Sequence, residues 1–223
     1  MRVVVVLVVV LALAACGGAK KATTTAAAKP ILAAALGDGI TAGSPGFNPS
    51  HADAKLLGQG ENPKSQWEYW AQQKDPRLEF RNCGVYGQRT DEIAKRLASC
   101  ARGARVLVVQ GGIDDLQQGR TPAQAAANLR SMVARGKKLG LQVEVAELIP
   151  WNNGHPTFDA SIRALNRLIH DIGRDEHVRV LPFYSVLSDP DRPGQTKDRW
   201  TAEGDNPSVD GYRRLGELAF RLP

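Results

Sequence analysis

Two rhythms of apolar and polar positions run along this chain. From Ile31 onward, short runs of consecutive apolar residues alternate with longer stretches in which apolar positions recur every three or four residues. The first kind reads as buried strand and the second as amphipathic helix. Strands are predicted at 31–36, 78–83, 105–110, 141–148 and 178–181. Between the first two, 65–73 reads as a helix carrying Trp67 and Trp70. Thr90 caps the next helix, with Asp91 and Glu92 in its first turn and Ile93 and Leu97 on one face. Thr121-Pro122 starts another, which passes through Leu129 and Val133 to Leu139 and stops at Gly140. Ile162, Leu165, Leu168, Ile169 and Ile172 mark a further helix ended by Gly173, and a last helix begins near Ser208 with Tyr212, Leu215 and Leu218.

Strands alternating with helices predict an α/β fold: a three-layer α/β/α sandwich on a five-stranded, parallel, flavodoxin-like sheet. Ligand sites of such sheets lie at the carboxyl ends of the strands. The chain shows no internal repeat and no second domain.

Ahead of this pattern, Arg2 precedes an unbroken apolar run over 3–13. That is the layout of a secretory signal, and the run is short for a membrane span. Leu13-Ala14-Ala15-Cys16 resembles a bacterial lipobox, with Cys16 the lipidated residue. The expected organisation is a signal peptide at 1–15, a lipidated Cys16 and flexible Ala-, Thr- and Lys-rich tether at 16–30, and one domain at 31–223. It makes the protein an exported membrane lipoprotein on the periplasmic or extracellular face.

The formal net charge of +6 changes little in this picture. Arg2, Lys20, Lys21 and Lys29 all precede the domain; without them 25 basic residues face 23 acidic ones. That balance is no nucleic-acid footprint, and the tether lysines suit anionic lipid headgroups. Cys83 and Cys100 remain. An exported chain can form a disulfide, but Cys83 is predicted at the end of a strand and Cys100 at the end of the next helix. Those points usually lie on opposite faces of an α/β layer, which favours two separate buried thiols and leaves a disulfide as the alternative.

The candidate chemistry follows the strands. Gly37-Asp38-Gly39-Ile40-Thr41 follows the first, Asn82-Cys83-Gly84-Val85-Tyr86-Gly87-Gln88-Arg89-Thr90 the second, and Gly111-Gly112-Ile113-Asp114-Asp115 the third. Glu203-Gly204-Asp205-Asn206-Pro207-Ser208, then Gly211-Tyr212, precedes the last helix. In that order these blocks resemble the SGNH (GDSL) hydrolases. The resemblance covers nearly everything after the tether. It implies hydrolysis of carboxylic esters, often acyl or acetyl groups on lipids or sugars, without cofactor or metal. It also implies roles: nucleophile at Gly39, orienting acid at Glu203, base at Asn206, and oxyanion donors at Gly87 and Asp114.

This chain departs from the family pattern at most of those places. Acyl transfer needs a hydroxyl, a base within reach and an orienting group, with donors aimed at the developing oxyanion. Gly39 stands for the serine, Asn206 for the histidine, Glu203 for the aspartate and Asp114 for the asparagine donor. An ionised Asp114 repels an oxyanion; a protonated one donates, provided burial or neighbouring carboxylates raise its pKa greatly. Thr41 and Ser44 lie near Gly39, with turn hydrogen bonding the expected role of Thr41. Asp38, Tyr86, Trp151 and His155 are candidate ligand contacts, although an exposed loop histidine is the plainer expectation for His155. His51, His170 and His177 read as surface residues. Asp38, Asp114, Asp115, Glu203 and Asp205 gather carboxylates, but no metal-ligand spacing accompanies them; Asp38 and Asp115 are expected as buried hydrogen-bonders, with Glu203 and Asp205 facing solvent. The sequence therefore predicts a pseudo-hydrolase, which keeps an ester-binding architecture, lacks normal catalysis and binds an acylated lipid or glycan at the cell surface. The rivals are an active esterase using another nucleophile or an activated water, and an inactivated variant of an active esterase.

Overall fold

The computed structural model describes residues 29–151, 153 and 155–222. The predicted signal peptide, Cys16 and nearly all of the tether lie outside the described residues. Along the chain run β1 (Ile31–Gly37), α1 (Gly39–Ala42), α2 (His51–Leu57), α3 (Trp67–Lys74), β2 (Leu78–Gly84), α4 (Thr90–Lys95), α5 (Leu97–Cys100), β3 (Val106–Val109), α6 (Ile113–Gln117), α7 (Pro122–Lys138), β4 (Gln142–Ala146), α8 (Asp159–Glu176), β5 (Arg179–Leu181) and α9 (Phe183–Leu187). A hairpin of β6 (Ser188–Asp189) and β7 (Arg192–Thr196), a smaller pair of β8 (Thr201–Ala202) and β9 (Asn206–Pro207), α10 (Val209–Arg214) and a π-helical turn (Leu215–Ala219) complete it.

Strands β1 to β5 form one parallel sheet in the order β2-β1-β3-β4-β5. This is the doubly wound, flavodoxin-like order, in which the crevice lies where the winding reverses, between β1 and β3. The central strands are apolar on both faces because helices cover both: Ala33 to Leu36 and Val106 to Val109 are almost wholly buried. On one face α7 packs against α4 and α8; on the other α3 packs against α10 and the π-turn. Trp67 centres the second layer, with its ring 5.3 to 5.7 Å from those of Phe80, Phe183 and Phe220. Tyr212 is fully buried there, and its hydroxyl donates to the carbonyl of Ser44 at 2.8 Å.

Several helix boundaries have different causes from those the sequence suggested. Thr90 is the first helical residue of α4 and Arg89 the cap, because the hydroxyl of Thr90 is turned to Asp115. Gly173 does not end α8; the helix continues to Glu176 and stops at His177 in a left-handed conformation (φ 53°). A Cβ at Gly173 would lie 2.5 Å from Val180 Cγ2, so the glycine serves close packing of α8 on β5. The turn Pro63–Ser65 is 3₁₀, and α3 starts only at Trp67.

The expectation of two separate thiols is corrected: Cys83 and Cys100 form a disulfide, with Cα atoms 6.1 Å apart. The helix after β2 is not continuous but breaks at Arg96 into α4 and the single turn α5. Arg96 donates to the carbonyls of Cys83 and Gly37, and Arg81 donates to the carbonyl of Cys100 at 2.8 Å, so both guanidinium groups draw the helix end to the strand. Closing a loop of this size removes chain entropy worth about 3 kcal/mol. Replacing both cysteines by serine is expected to lower the unfolding free energy by about that much, read from urea denaturation. An unchanged midpoint would show that the bridge adds nothing to stability.

Candidate functional site

At the carboxyl end of β1 the chain turns sharply. Asp38 caps α1 by accepting the N–H of Ile40 at 2.9 Å. Its other oxygen accepts from the Gln110 side-chain amide at 3.1 Å, while Gln110 Oε1 accepts from the hydroxyl of Thr41 at 2.8 Å. One glutamine at the end of β3 thus fixes both sides of the turn. Asp38 is almost wholly buried, and burial, with a smaller contribution from Asp115, raises its pKa to about 6 against the lowering effect of those hydrogen bonds. Between Asp38 and Thr41 sits Gly39.

The ends of β2 and β3 supply the next wall. The side chain of Asn82 donates to the carbonyl of Thr41 at 2.8 Å and accepts the N–H of Gly84 at 2.8 Å. A Cβ at Gly84 would stand 2.0 Å from the backbone nitrogen of Ala42, so only glycine lets the turn after β1 pass so near β2. Beyond it come Tyr86, half exposed, and Gly87. After β3, Asp115 is buried and accepts the N–H and hydroxyl of Thr90 at 2.7 and 2.8 Å. Its neighbour Asp114 is half-buried, and among the described residues no other residue hydrogen-bonds its carboxyl. Burial and the nearby Asp38, Asp115 and Glu92 raise its pKa to about 8.

Trp151, beyond the end of β4, and the segment before α10 close the opposite side. The ring of His155 stacks on Trp151, centroids 3.8 Å apart and planes 14° apart. His155 Nε2 lies 2.5 Å from Asp205 Oδ1. Asn206 follows Asp205, and its side chain has no hydrogen-bond partner among the described residues.

These elements enclose one cleft lined by Asp38, Gly39, Tyr86, Gly87, Asp114 and Asn206, with Trp151 and Asp205 at its edge. It lies at the carboxyl ends of the strands and, like other doubly wound sheets, at the reversal of winding. Among the described residues no group of three or more His, Cys, Asp or Glu side chains is placed to hold a metal ion.

The model of the GDSL-like Lipase/Acylhydrolase family matches residues 35–214. The chain belongs to that family. Solved structures agree on the fold. A lipase/acylhydrolase from Enterococcus faecalis is 21% identical with a TM-score of 0.65, over 84% of this chain and 92% of its own. A member of the lipolytic protein G-D-S-L family from Veillonella parvula DSM 2008 is 18% identical with a TM-score of 0.65, over 83% and 94%. An acetyl xylan esterase variant from Geobacillus stearothermophilus is 15% identical with a TM-score of 0.64, over 84% and 92%. A search of curated proteins finds no match.

In this GDSL-like chain the fold gathers most of the residues singled out from sequence. Gly39, Gly87, Asp114, Asn206, Asp38, Tyr86 and Trp151 share the cleft. Glu203 is not among its lining residues; it is exposed, with a left-handed backbone (φ 58°). Asp205 lines the cleft instead and is bound to His155, so His155 is tied to the site's rim rather than free in a loop. Thr41 and Ser44 are buried and committed, Thr41 to Gln110 and Ser44, whose Oγ accepts from Gln59, at 2.9 Å. Trp67 and Trp200 are buried away from the cleft lining and Trp70 lies outside it, so among the described residues Trp151 is the tryptophan that lines this site. Gln110 and the Thr90–Asp115 pair were not found from sequence; their only signal there was position, at a strand end and beside the motifs.

Removing the acceptor for Thr90 tests the support under this site. Asp115→Ala leaves a buried N–H and hydroxyl without their partner, and is expected to cost about 2 kcal/mol in urea denaturation. Asp115→Asn keeps one acceptor oxygen and should cost less. Equal, negligible effects of both would show that the pair does not hold α4 to α6.

Proposed function

We propose that this chain binds an acylated lipid or glycan in the cleft without hydrolysing it through a serine, and that it does so at the bacterial membrane through a lipidated Cys16. The observation that carries the reading is the state of the hydroxyls around Gly39. Gly39 itself has none, and those of Thr41 and Ser44 are buried, Thr41 donating to Gln110 and Ser44 accepting from Gln59. Asn206 has an amide, which takes up no proton near neutral pH, where a base would act. What remains suits binding: a cleft with backbone amides, carboxyls and aromatic faces. Loss of the nucleophile or base in a serine hydrolase costs on the order of 10⁶ in turnover, and the two losses do not add.

A second reading is favoured by one contact. The His155–Asp205 pair is a base held by a carboxylate at the rim, an arrangement that can activate a water.

Hydrolysis of p-nitrophenyl acetate separates the two. The binding reading expects no enzymatic turnover by the chain as given, and turnover on joint introduction of Gly39→Ser and Asn206→His. The new side chain asks for a small adjustment: a Cβ at Gly39 would lie 3.0 Å from Tyr86 Cδ2 and 3.4 Å from Ser44 Oγ, so the Tyr86 ring, 51% exposed, must give by a few tenths of an ångström. Turnover by the unmodified chain that disappears in His155→Ala would replace the binding reading with the water-activating one.

A further inference from the structure

The two ends of the domain carry opposite charge. The cleft end gathers Asp38, Glu92, Asp114 and Asp115. The strands of the sheet are parallel, so their amino ends share the opposite face, about 20 Å away along β1. Main-chain bonds knit that face together. The N–H of Ile31 donates to the carbonyl of Arg77 at 2.7 Å, that of Arg105 to Leu32 at 2.9 Å and that of Gln142 to Arg105 at 3.0 Å. Arg179, first in β5, donates to the carbonyls of Arg221 and Leu222 at 2.8 and 2.9 Å, which brings Arg221 to the same face. The side chains there are basic. Arg102, Arg105, Lys138 and Arg221 are exposed, and among the described residues none of the four pairs with a carboxylate. The carboxylates of this end are held by other cations: Asp75 by Arg77 at 2.7 Å, Asp175 by Arg130 at 2.8 Å and Glu176 by Lys137 at 3.1 Å, with exposed Glu79 the exception. Helix C-termini meet here too and favour cations in their last turns, which accounts for Lys138 at the end of α7. Arg102, Arg105 and Arg221 lie outside any helix, so that cause does not reach them. Beside Lys138, Leu139 is 57% exposed.

We propose that this face docks on anionic lipid headgroups, with its basic side chains against the phosphates and Leu139 at the acyl boundary, so that the cleft opens away from the bilayer. The proposal rests on reading Cys16 as a lipid anchor and adds how the domain stands on the membrane. The place where the chain enters the fold argues for this occupant. Exposed Lys29 precedes β1 at this same face, and Cys16 lies 13 residues earlier, a reach of at most about 45 Å. A link of that length keeps the domain near the bilayer without choosing which side meets it. Charge chooses, because a negative surface attracts the basic face and repels the acidic cleft end within a Debye length. With the cleft turned outward, an acylated glycan reaches it more readily than a lipid of the supporting bilayer.

Amine-reactive footprinting of the full chain, purified from a bacterial host and mixed with vesicles, tests this by mass spectrometry. One set of vesicles is pure phosphatidylcholine and the other carries phosphatidylglycerol as about one lipid in three. Lys138 should be labelled about fivefold more slowly on the anionic vesicles, since each basic residue near such a surface shifts the docked population by about that factor. The difference should vanish in high salt. Lys55 and Lys64, on segments that precede α3 at the cleft end, should be labelled alike on both. Joint replacement Arg102→Gln, Arg105→Gln and Arg221→Gln should abolish the protection of Lys138, whereas Lys55→Gln with Arg199→Gln should preserve it. Equal labelling of Lys138 on the two kinds of vesicle overturns the proposal, as does equal protection of Lys55, Lys64 and Lys138, or protection that survives the triple replacement. Sedimentation with pure phosphatidylcholine vesicles judges the anchor separately. A chain left in the supernatant there counts against the anchor, and the footprint on anionic vesicles still decides the docking.

Discussion

The site depends on one side-chain amide. Gln110 follows β3 directly, and it holds the carboxyl of Asp38 with its nitrogen and the hydroxyl of Thr41 with its oxygen. A parallel sheet leaves the strand ends as bare loops, and nothing in the ladder of hydrogen bonds fixes how such loops turn. Here a buried amide shared between two neighbouring strand ends sets the turn after β1, and that turn sets Gly39. Asn82 does the same from the other neighbour, β2, by donating to the carbonyl of Thr41. Glycine at 84 then allows the three strand ends to meet at backbone distance. The cleft is therefore built on hydrogen bonds among strand ends, and its wall residues inherit their positions from them.

The same geometry explains the cleft's electrostatics. The turn after β1 brings Asp38, the segment after β3 brings Asp114 and Asp115, and α4 brings Glu92, so their convergence gathers the carboxyls. Asp115 is relieved by two donors from Thr90, and Asp38 by Ile40 and Gln110. Asp114 receives no such relief from another residue. In a partly dry site, burial and that acidic company push its pKa up to about 8, further than that of Asp38.

Much of the fold could be read from the sequence because its signals are local. The central strands are short runs of apolar residues with helical periodicity between them, and Thr121 and Ser208 cap helices as their side chains predict. The elements that escaped prediction are short and held by distant contacts. Helix α1 is four residues long and exists because Asp38 caps it. The break at Arg96, which brings Cys100 to Cys83, follows from a guanidinium reaching two strand-end carbonyls. The pairing of His155 with Asp205 spans 50 residues and has no periodicity to betray it. Motif spacing located the cleft residues, but which carboxyl lines it, Asp205 rather than Glu203, depends on the turn between β8 and β9, where Glu203 takes a left-handed conformation.

Gly39 also has a consequence for the shape of the cleft. A Cβ there would meet the edge of the half-exposed Tyr86 ring at 3.0 Å and Ser44 Oγ at 3.4 Å. The first contact is tighter than side chains ordinarily make, so a residue larger than glycine asks the ring to shift by a few tenths of an ångström. That ring belongs to the mouth of the cleft and not to the close-packed core, so the strand-end framework itself sets no bar to a side chain at this turn.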